Sequence, residues 1–157
     1  MTAKPSSRTA QPVHRSPPRS ERCARLQDKA IRRDSYSVLV IDDYVAFQQY
    51  VGSILRKNGF VVLSTSSGLD GLDMLGCKPG DIRVVLLDYT MPGLDGTKTL
   101  QHVRKLNPSI KVVAVTASIP QLVTADFREG VDAYIEKPIL PQELIAIIDN
   151  LVGSKPQ

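Results

Sequence analysis

Apolar residues follow two rhythms along this chain. Short, largely β-branched runs at Ser37–Ile41, Phe60–Thr65, Ile82–Leu87, Ile110–Thr116 and Ala133–Glu136 predict five strands, β1 to β5. Between them the apolar positions space out to a helical period. Phe47, Val51, Ile54 and Leu55 predict helix α1, stopped by Asn58-Gly59. Leu69, Leu72 and Leu75 predict a short α2 before the breaker Lys78-Pro79-Gly80. Asp95 is placed to cap α3, with Leu100, Val103 and Leu106 turned inward. Helix α4 is expected from near Ile119 to Gly130, with Pro120 in its first turn. Helix α5 is expected from Pro141 through Leu151, with Leu144, Ile147, Ile148 and Leu151 on one face. Strands apolar on both sides, each followed by a helix, imply a doubly wound parallel α/β sheet covered on both faces.

Polar residues at the ends of those runs carry the chemistry. Asp42 and Asp43 close β1, Asp88 closes β3, Thr116 ends β4, and Lys137-Pro138 follows β5. The carboxyl ends of neighbouring parallel strands meet at one edge, which is where ligands bind in open α/β sheets. Carboxylates crowded there repel unless a cation lies among them. A hard cation such as Mg2+ takes oxygen ligands and is held by one or two carboxylates plus a phosphate. Asp43 and Asp88 fit that requirement, Asp42 adds to it directly or through water, and the backbone carbonyl of Thr90 is a further ligand candidate. With Asp88 as nucleophile, in-line attack on phosphorus gives an acyl phosphate. The Lys137 ammonium and the Thr116 hydroxyl then supply countercharge and a donor to the equatorial oxygens.

Composition narrows the alternatives. The 157 residues, 42% hydrophobic and 23% charged, suit one domain, and no second domain is expected. No run approaches the roughly 20 apolar residues of a membrane span, and no apolar signal core stands at the N-terminus, so a cytoplasmic protein is expected. The net charge of +4 is unevenly spread. Residues 1–35 hold nine Lys/Arg against three acids, whereas residues 36–157 hold eleven against thirteen. The basic part, rich in Ser, Pro and Arg, is read as a disordered leader. Its stretch 20–34, with Cys23, Leu26, Ala30 and Ile31 at loose helical spacing, is read as a charged linker, being too short and weakly apolar for a stable helix. The remainder, 36–153, forms the domain, followed by a tail at 154–157. Its slight acidity argues against a nucleic-acid-binding core. Cys23 and Cys77, like His14 and His102, lack a second ligand at metal-site spacing, and both cysteines are expected as reduced thiols.

Taken together, Asp42-Asp43, the segment Asp88-Tyr89-Thr90-Met91-Pro92-Gly93-Leu94-Asp95-Gly96, Thr116-Ala117 and Lys137-Pro138 resemble the receiver domain of two-component response regulators. The resemblance covers about residues 37–152 and extends to the stand-alone, single-domain chemotaxis and sporulation regulators. It implies a flavodoxin-like sheet of order 2-1-3-4-5. It also implies that Asp88 is the phosphoacceptor for a histidine kinase or histidine phosphotransfer protein, and that Asp42 and Asp43 bind Mg2+. Thr116 and Lys137 would contact the phosphoryl group, Lys137-Pro138 would be a cis peptide, and Tyr134 would be the switch aromatic. Phosphorylation would remodel the α4-β5-α5 face for an output partner, in a monomer or weak dimer with no membrane insertion and no DNA-binding domain. Multiple-turnover catalysis is not expected. Two other readings stand beside this one: a receiver-shaped scaffold independent of phosphorylation, and an Asp-nucleophile phosphatase, which would want an acid where Thr90 stands. Tyr44 departs from the small acidic or amide residue often found after the acidic pair. Thr90 and Ser118 occupy positions that tune loss of the phosphoryl group, and neither is a carboxylate or amide.

Overall fold

Five parallel strands in the order β2-β1-β3-β4-β5 form the sheet in the computed structural model, which describes residues 36–78, 80–117 and 122–153. The strands are β1 (Ser37–Ile41), β2 (Val61–Thr65), β3 (Ile82–Leu87), β4 (Lys111–Thr116) and β5 (Ala133–Glu136). The helices are α1 (Val45–Lys57), α2 (Gly68–Cys77), α3 (Gly96–Leu106), α4 (Ala125–Gly130) and α5 (Pro141–Val152). The sheet order and the alternation of strand and helix agree with the expected doubly wound fold. The leader at 1–35, its stretch 20–34 and the tail at 154–157 lie outside the described residues. No helix among the described residues is long and apolar enough to cross a membrane.

Alternation along each strand builds two cores. Val38, Val40, Val84, Leu86, Val113, Val115 and Ile135 face the side where α1 and α5 bring Val51, Leu55, Leu144 and Ile148. Leu39, Ile41, Val85, Leu87, Val112 and Ala114 face the other side, against Leu75 of α2, Leu100 and Val103 of α3 and Phe127 of α4. Because side chains on a strand point to opposite faces with a period of two, one apolar run serves both layers.

Local signals close the helices where the sequence places them. At the end of α1, Gly59 has φ +78°, a conformation glycine adopts without steric cost. The Phe60 N–H donates to the Leu55 carbonyl at 3.0 Å and the Gly59 N–H to that of Arg56 at 2.9 Å. This is a Schellman closure. Ser67 and Asp95 cap α2 and α3, their side chains accepting from the backbone N–H groups of Asp70 and Lys98. Pro141 occupies the first turn of α5.

Three expectations need correction. Helix α4 begins at Ala125, not near Ile119; Ile119 and Pro120 lie outside the described residues. Thr124, extended at φ −60° and ψ 149°, is its N-cap, and the preceding Val123 is buried in the second core, which holds the chain out of the helix until that point. Leu106 is 55% exposed, not inward. The buried row of α3 is Gly96, Thr99, Leu100 and Val103, and Leu106, the last residue of the helix, lies beyond it. Cys77, the last residue of α2, is disulfide-bonded, not a reduced thiol, and Cys23 lies outside the described residues. Separation along the chain carries no information on which thiols meet.

Leu100→Ala is expected to cost about 2–5 kcal/mol in urea unfolding, because it empties space in a closed core. Leu106→Ala should stay within about 0.5 kcal/mol of the parent. Comparable losses at both positions would contradict the packing described.

Candidate functional site

Strand register sets the acidic cluster. Ile41 of β1 pairs with Leu87 of β3, so the next residues, Asp42 and Asp88, emerge side by side. The Asp88 N–H donates to the Ile41 carbonyl at 2.9 Å, and the Asp42 N–H donates to that of Thr65 at 3.1 Å. Both carboxylates share the strand parity of Val38, Val40, Val84 and Leu86, the face covered by α1 and α5. Lys137 continues the parity of Ile135 to the same side, and its backbone N–H donates to the Thr116 carbonyl at 3.0 Å. The Lys137-Pro138 peptide is cis.

The result is a tight polar group. Asp42, Asp43 and Asp88 each present a carboxylate oxygen within 4.8 Å of the others. The Lys137 Nζ lies 2.5 Å from Asp42 Oδ2 and 3.8 Å from Asp88 Oδ1. Asp42 is 2% exposed and Asp88 7%, whereas Asp43 is open to solvent, so a cation reaches the cluster from the Asp43 side. Three negative groups against one ammonium leave a charge deficit that hard, oxygen-seeking cations are suited to fill. The donor set, carboxylates only at a surface-open position, fits Mg2+.

Asp88 records the crowding. Burial pushes its carboxyl up to about 6, and Asp42 and Asp43 push the same way, while Lys137 and the Thr90 backbone N–H pull it down. Thr90 itself is exposed, with its N–H turned back to Asp88. Thr116 is buried at the end of β4, one strand over, on the strand parity that faces the second core. Tyr134 is partly buried against that same core, and burial together with Glu136 raises its phenol, which stays protonated at neutral pH. Ser118 lies outside the described residues. Asp42, Asp43, Asp88 and Lys137 thus meet directly, Thr116 joins them through its backbone, and Tyr134 sits on the other side of β5.

Several residues hold this arrangement without an obvious sequence signal. Buried Gln48 of α1 donates through Nε2 to the Asp42 carbonyl at 2.6 Å and to Ser66 Oγ at 2.9 Å, tying the ends of β1 and β2 together. Gly96 starts α3 directly against the acidic loop; a Cβ there would lie 2.6 Å from the Asp88 carbonyl oxygen and 2.8 Å from Tyr89 Cα. The Tyr89 ring packs on Phe127 at 4.9 Å, and its hydroxyl donates to the Leu122 carbonyl at 3.4 Å and accepts from the Thr124 N–H at 3.3 Å. Phe47, which the apolar pattern assigns only to core packing, places its ring centroid 4.0 Å from Lys137 Nζ. Only a three-dimensional arrangement relates positions 47 and 137; no spacing in the chain does.

Comparison with known proteins gives one consistent result. Residues 38–149 match the model of the response regulator receiver domain. The chemotaxis protein CheY of Treponema pallidum (strain Nichols) is 32% identical over 119 residues, 74% of this chain and 83% of that protein. The cell cycle transcriptional regulator CtrA of Caulobacter vibrioides is 35% identical over 117 residues, which are 73% of this chain and 49% of CtrA. A solved response regulator receiver domain protein from Clostridium thermocellum superposes with a TM-score of 0.69 at 32% identity, covering 74% of this chain and 94% of that one.

The raised carboxyl of Asp88 has a thermodynamic sign. Its folded value of about 6 exceeds the ordinary 3.8, so the folded protein holds the proton more tightly than the unfolded chain. The group therefore adds no penalty below about pH 4, and a growing one as pH rises through about 6. At neutral pH without metal, Asp88→Asn should be more stable than the parent by up to about 3 kcal/mol in urea unfolding. Adding Mg2+ should narrow that gap by stabilising the parent alone. Equal stabilities without metal would show that burial and the neighbouring acids do not raise the Asp88 carboxyl. Gly96→Ala should cost about 1–3 kcal/mol, since the atoms it strikes are backbone and cannot rotate away.

Proposed function

The chain belongs to the response regulator receiver domain family of two-component systems, and from that premise we propose that Asp88 is its phosphoacceptor. The observation that carries this reading is the placement of Asp88: two further carboxylates within 4.8 Å and the Lys137 ammonium 3.8 Å away. The donor is a histidine kinase or a histidine phosphotransfer protein. One Asp88 carboxylate oxygen attacks phosphorus in line as the phosphorus–nitrogen bond of the phosphohistidine breaks, and the imidazole nitrogen leaves with the bonding pair. An acyl phosphate remains on Asp88.

Asp42, Asp43, Asp88 and the Thr90 carbonyl are the ligands assigned to Mg2+. When bound, the cation neutralises the charge that otherwise keeps Asp88 and an incoming phosphate apart. The chain's own residues do the rest. Asp88, ionised above its raised pKa, is the nucleophile. Lys137 offsets negative charge on the equatorial oxygens, and the Thr116 hydroxyl donates to one of them. Tyr134 and Thr116 share the β-strand face against which α4 packs. A change at Thr116 therefore reaches Tyr134 and the α4-β5-α5 surface through side chains on one layer. That surface is the output face, and a partner protein reads it. The reaction is one phosphoryl transfer per molecule, not multiple-turnover catalysis, and its setting is the cytoplasm.

A small-molecule phosphodonor such as acetyl phosphate or phosphoramidate tests the assignment. In the presence of Mg2+ the wild-type chain should gain one acid-stable, base-labile phosphoryl group, detectable by intact mass. Asp88→Ala should gain none, and chelating the metal should slow labelling by at least about tenfold. Unlabelled wild type, or a labelled Asp88→Ala variant, would overturn the assignment.

A further inference from the structure

Lys137 stands between three partners. Its Nζ is 2.5 Å from Asp42 Oδ2, 3.8 Å from Asp88 Oδ1 and 4.0 Å from the centroid of the Phe47 ring. The first two contacts are those of an ammonium shared by a metal site and a nucleophile. The third is a cation over an aromatic face, at a range where the ring quadrupole attracts the charge. Phe47 lies in the first turn of α1, and its side chain is partly buried against the first core. The core therefore fixes the ring from below and leaves a face toward the ammonium.

We propose that Phe47 is a positioning residue for Lys137, holding the ammonium beside Asp88 when a divalent cation takes over Asp42. The inference rests on the phosphoacceptor reading given above. A cation engaging Asp42 competes with the 2.5 Å ion pair and repels the ammonium. A lysine so released has a flexible four-carbon stem and strongly hydrated head, and water is its ordinary destination. The Phe47 face gives it another one, on the same side of the sheet as Asp88. The side chain is already only 18% exposed, so little rearrangement is needed to keep it in the site. An aliphatic side chain at position 47 would fill the same apolar volume and offer the charge no attraction.

Phe47→Leu and Phe47→Tyr separate these roles, because tyrosine keeps the ring face and leucine does not. With saturating Mg2+ and phosphoramidate, Phe47→Leu should label about threefold to tenfold more slowly than wild type, while Phe47→Tyr stays within about twofold. The Mg2+ concentration for half-maximal labelling should move less than about twofold in either variant, since Phe47 is not a ligand. A second readout needs no phosphorylation. In metal-free urea unfolding, the effects of Phe47→Leu and Lys137→Met should be non-additive, with a coupling of about twofold to fivefold in the folding constant. Should Phe47→Leu fail to fold, Phe47→Met carries both comparisons. Wild-type labelling with an unchanged rate in the aliphatic variant, or an additive cycle, overturns the role of Phe47 alone. A wild type that does not label removes the phosphoacceptor reading, and this inference with it.

Discussion

Mutual repulsion among three carboxylates is the constraint around which this domain is arranged. Asp42, Asp43 and Asp88 approach within 4.8 Å of one another, and Asp42 and Asp88 do so under cover of protein. Burial raises the carboxyl of Asp88, and the neighbouring charges of Asp42 and Asp43 push it the same way. Lys137 relieves only part of the strain. The cluster is therefore poised to accept positive charge beside Asp88, the buried carboxylate at the end of β3. Stability is lowered locally where chemistry is to occur, a common pattern at functional sites.

The fold supplies what the repulsion would otherwise undo. Parallel pairing of β1 with β3 fixes Asp42 beside Asp88 through backbone hydrogen bonds that do not depend on the side chains. Two apolar layers clamp the strands from either face, so the carboxyl edge cannot splay apart to separate the charges. Gln48 ties the end of β1 to the residue after β2, and Gly96 lets α3 begin against the Asp88 backbone. On the far side, Tyr89 bridges the loop after Asp88 to the segment that opens α4, through Leu122 and Thr124. The loop after Asp88 and the segment that opens α4 are thus joined by a hydrogen-bonded aromatic side chain.

Much of this was legible in the sequence because it depends on short-range pattern. Runs such as Val84–Leu87, apolar on both sides, admit only a doubly covered strand, and acids directly after such runs must emerge at one edge of a parallel sheet. Asn58-Gly59 and Pro141 mark helix ends through backbone chemistry that tertiary context seldom overrides. What the sequence hid depends on distance in space. Phe47 has the periodicity of a core residue and packs against the first core; that its ring also faces Lys137 follows from the first turn of α1 lying close to the residue after β5. Pro120 signals a helix start, but α4 begins only at Ala125, after the buried Val123. Leu106 mimics a continuing apolar stripe, yet at the end of its helix it is exposed. The disulfide bonding of Cys77 has no local signal in the sequence.

A Mg2+ titration followed by backbone amide NMR tests the central claim most directly. Saturable shifts are expected at Asp42, Asp43, Asp88 and Thr90, with lesser ones at Lys137, and they should vanish in a variant carrying Asp43→Ala and Asp88→Ala together. Amides of the opposite sheet edge, such as Asp81 and Ser109, should not move. Absence of saturable shifts at the strand ends, or equal shifts in the double variant, would show that the acidic cluster does not hold the cation on which this account depends.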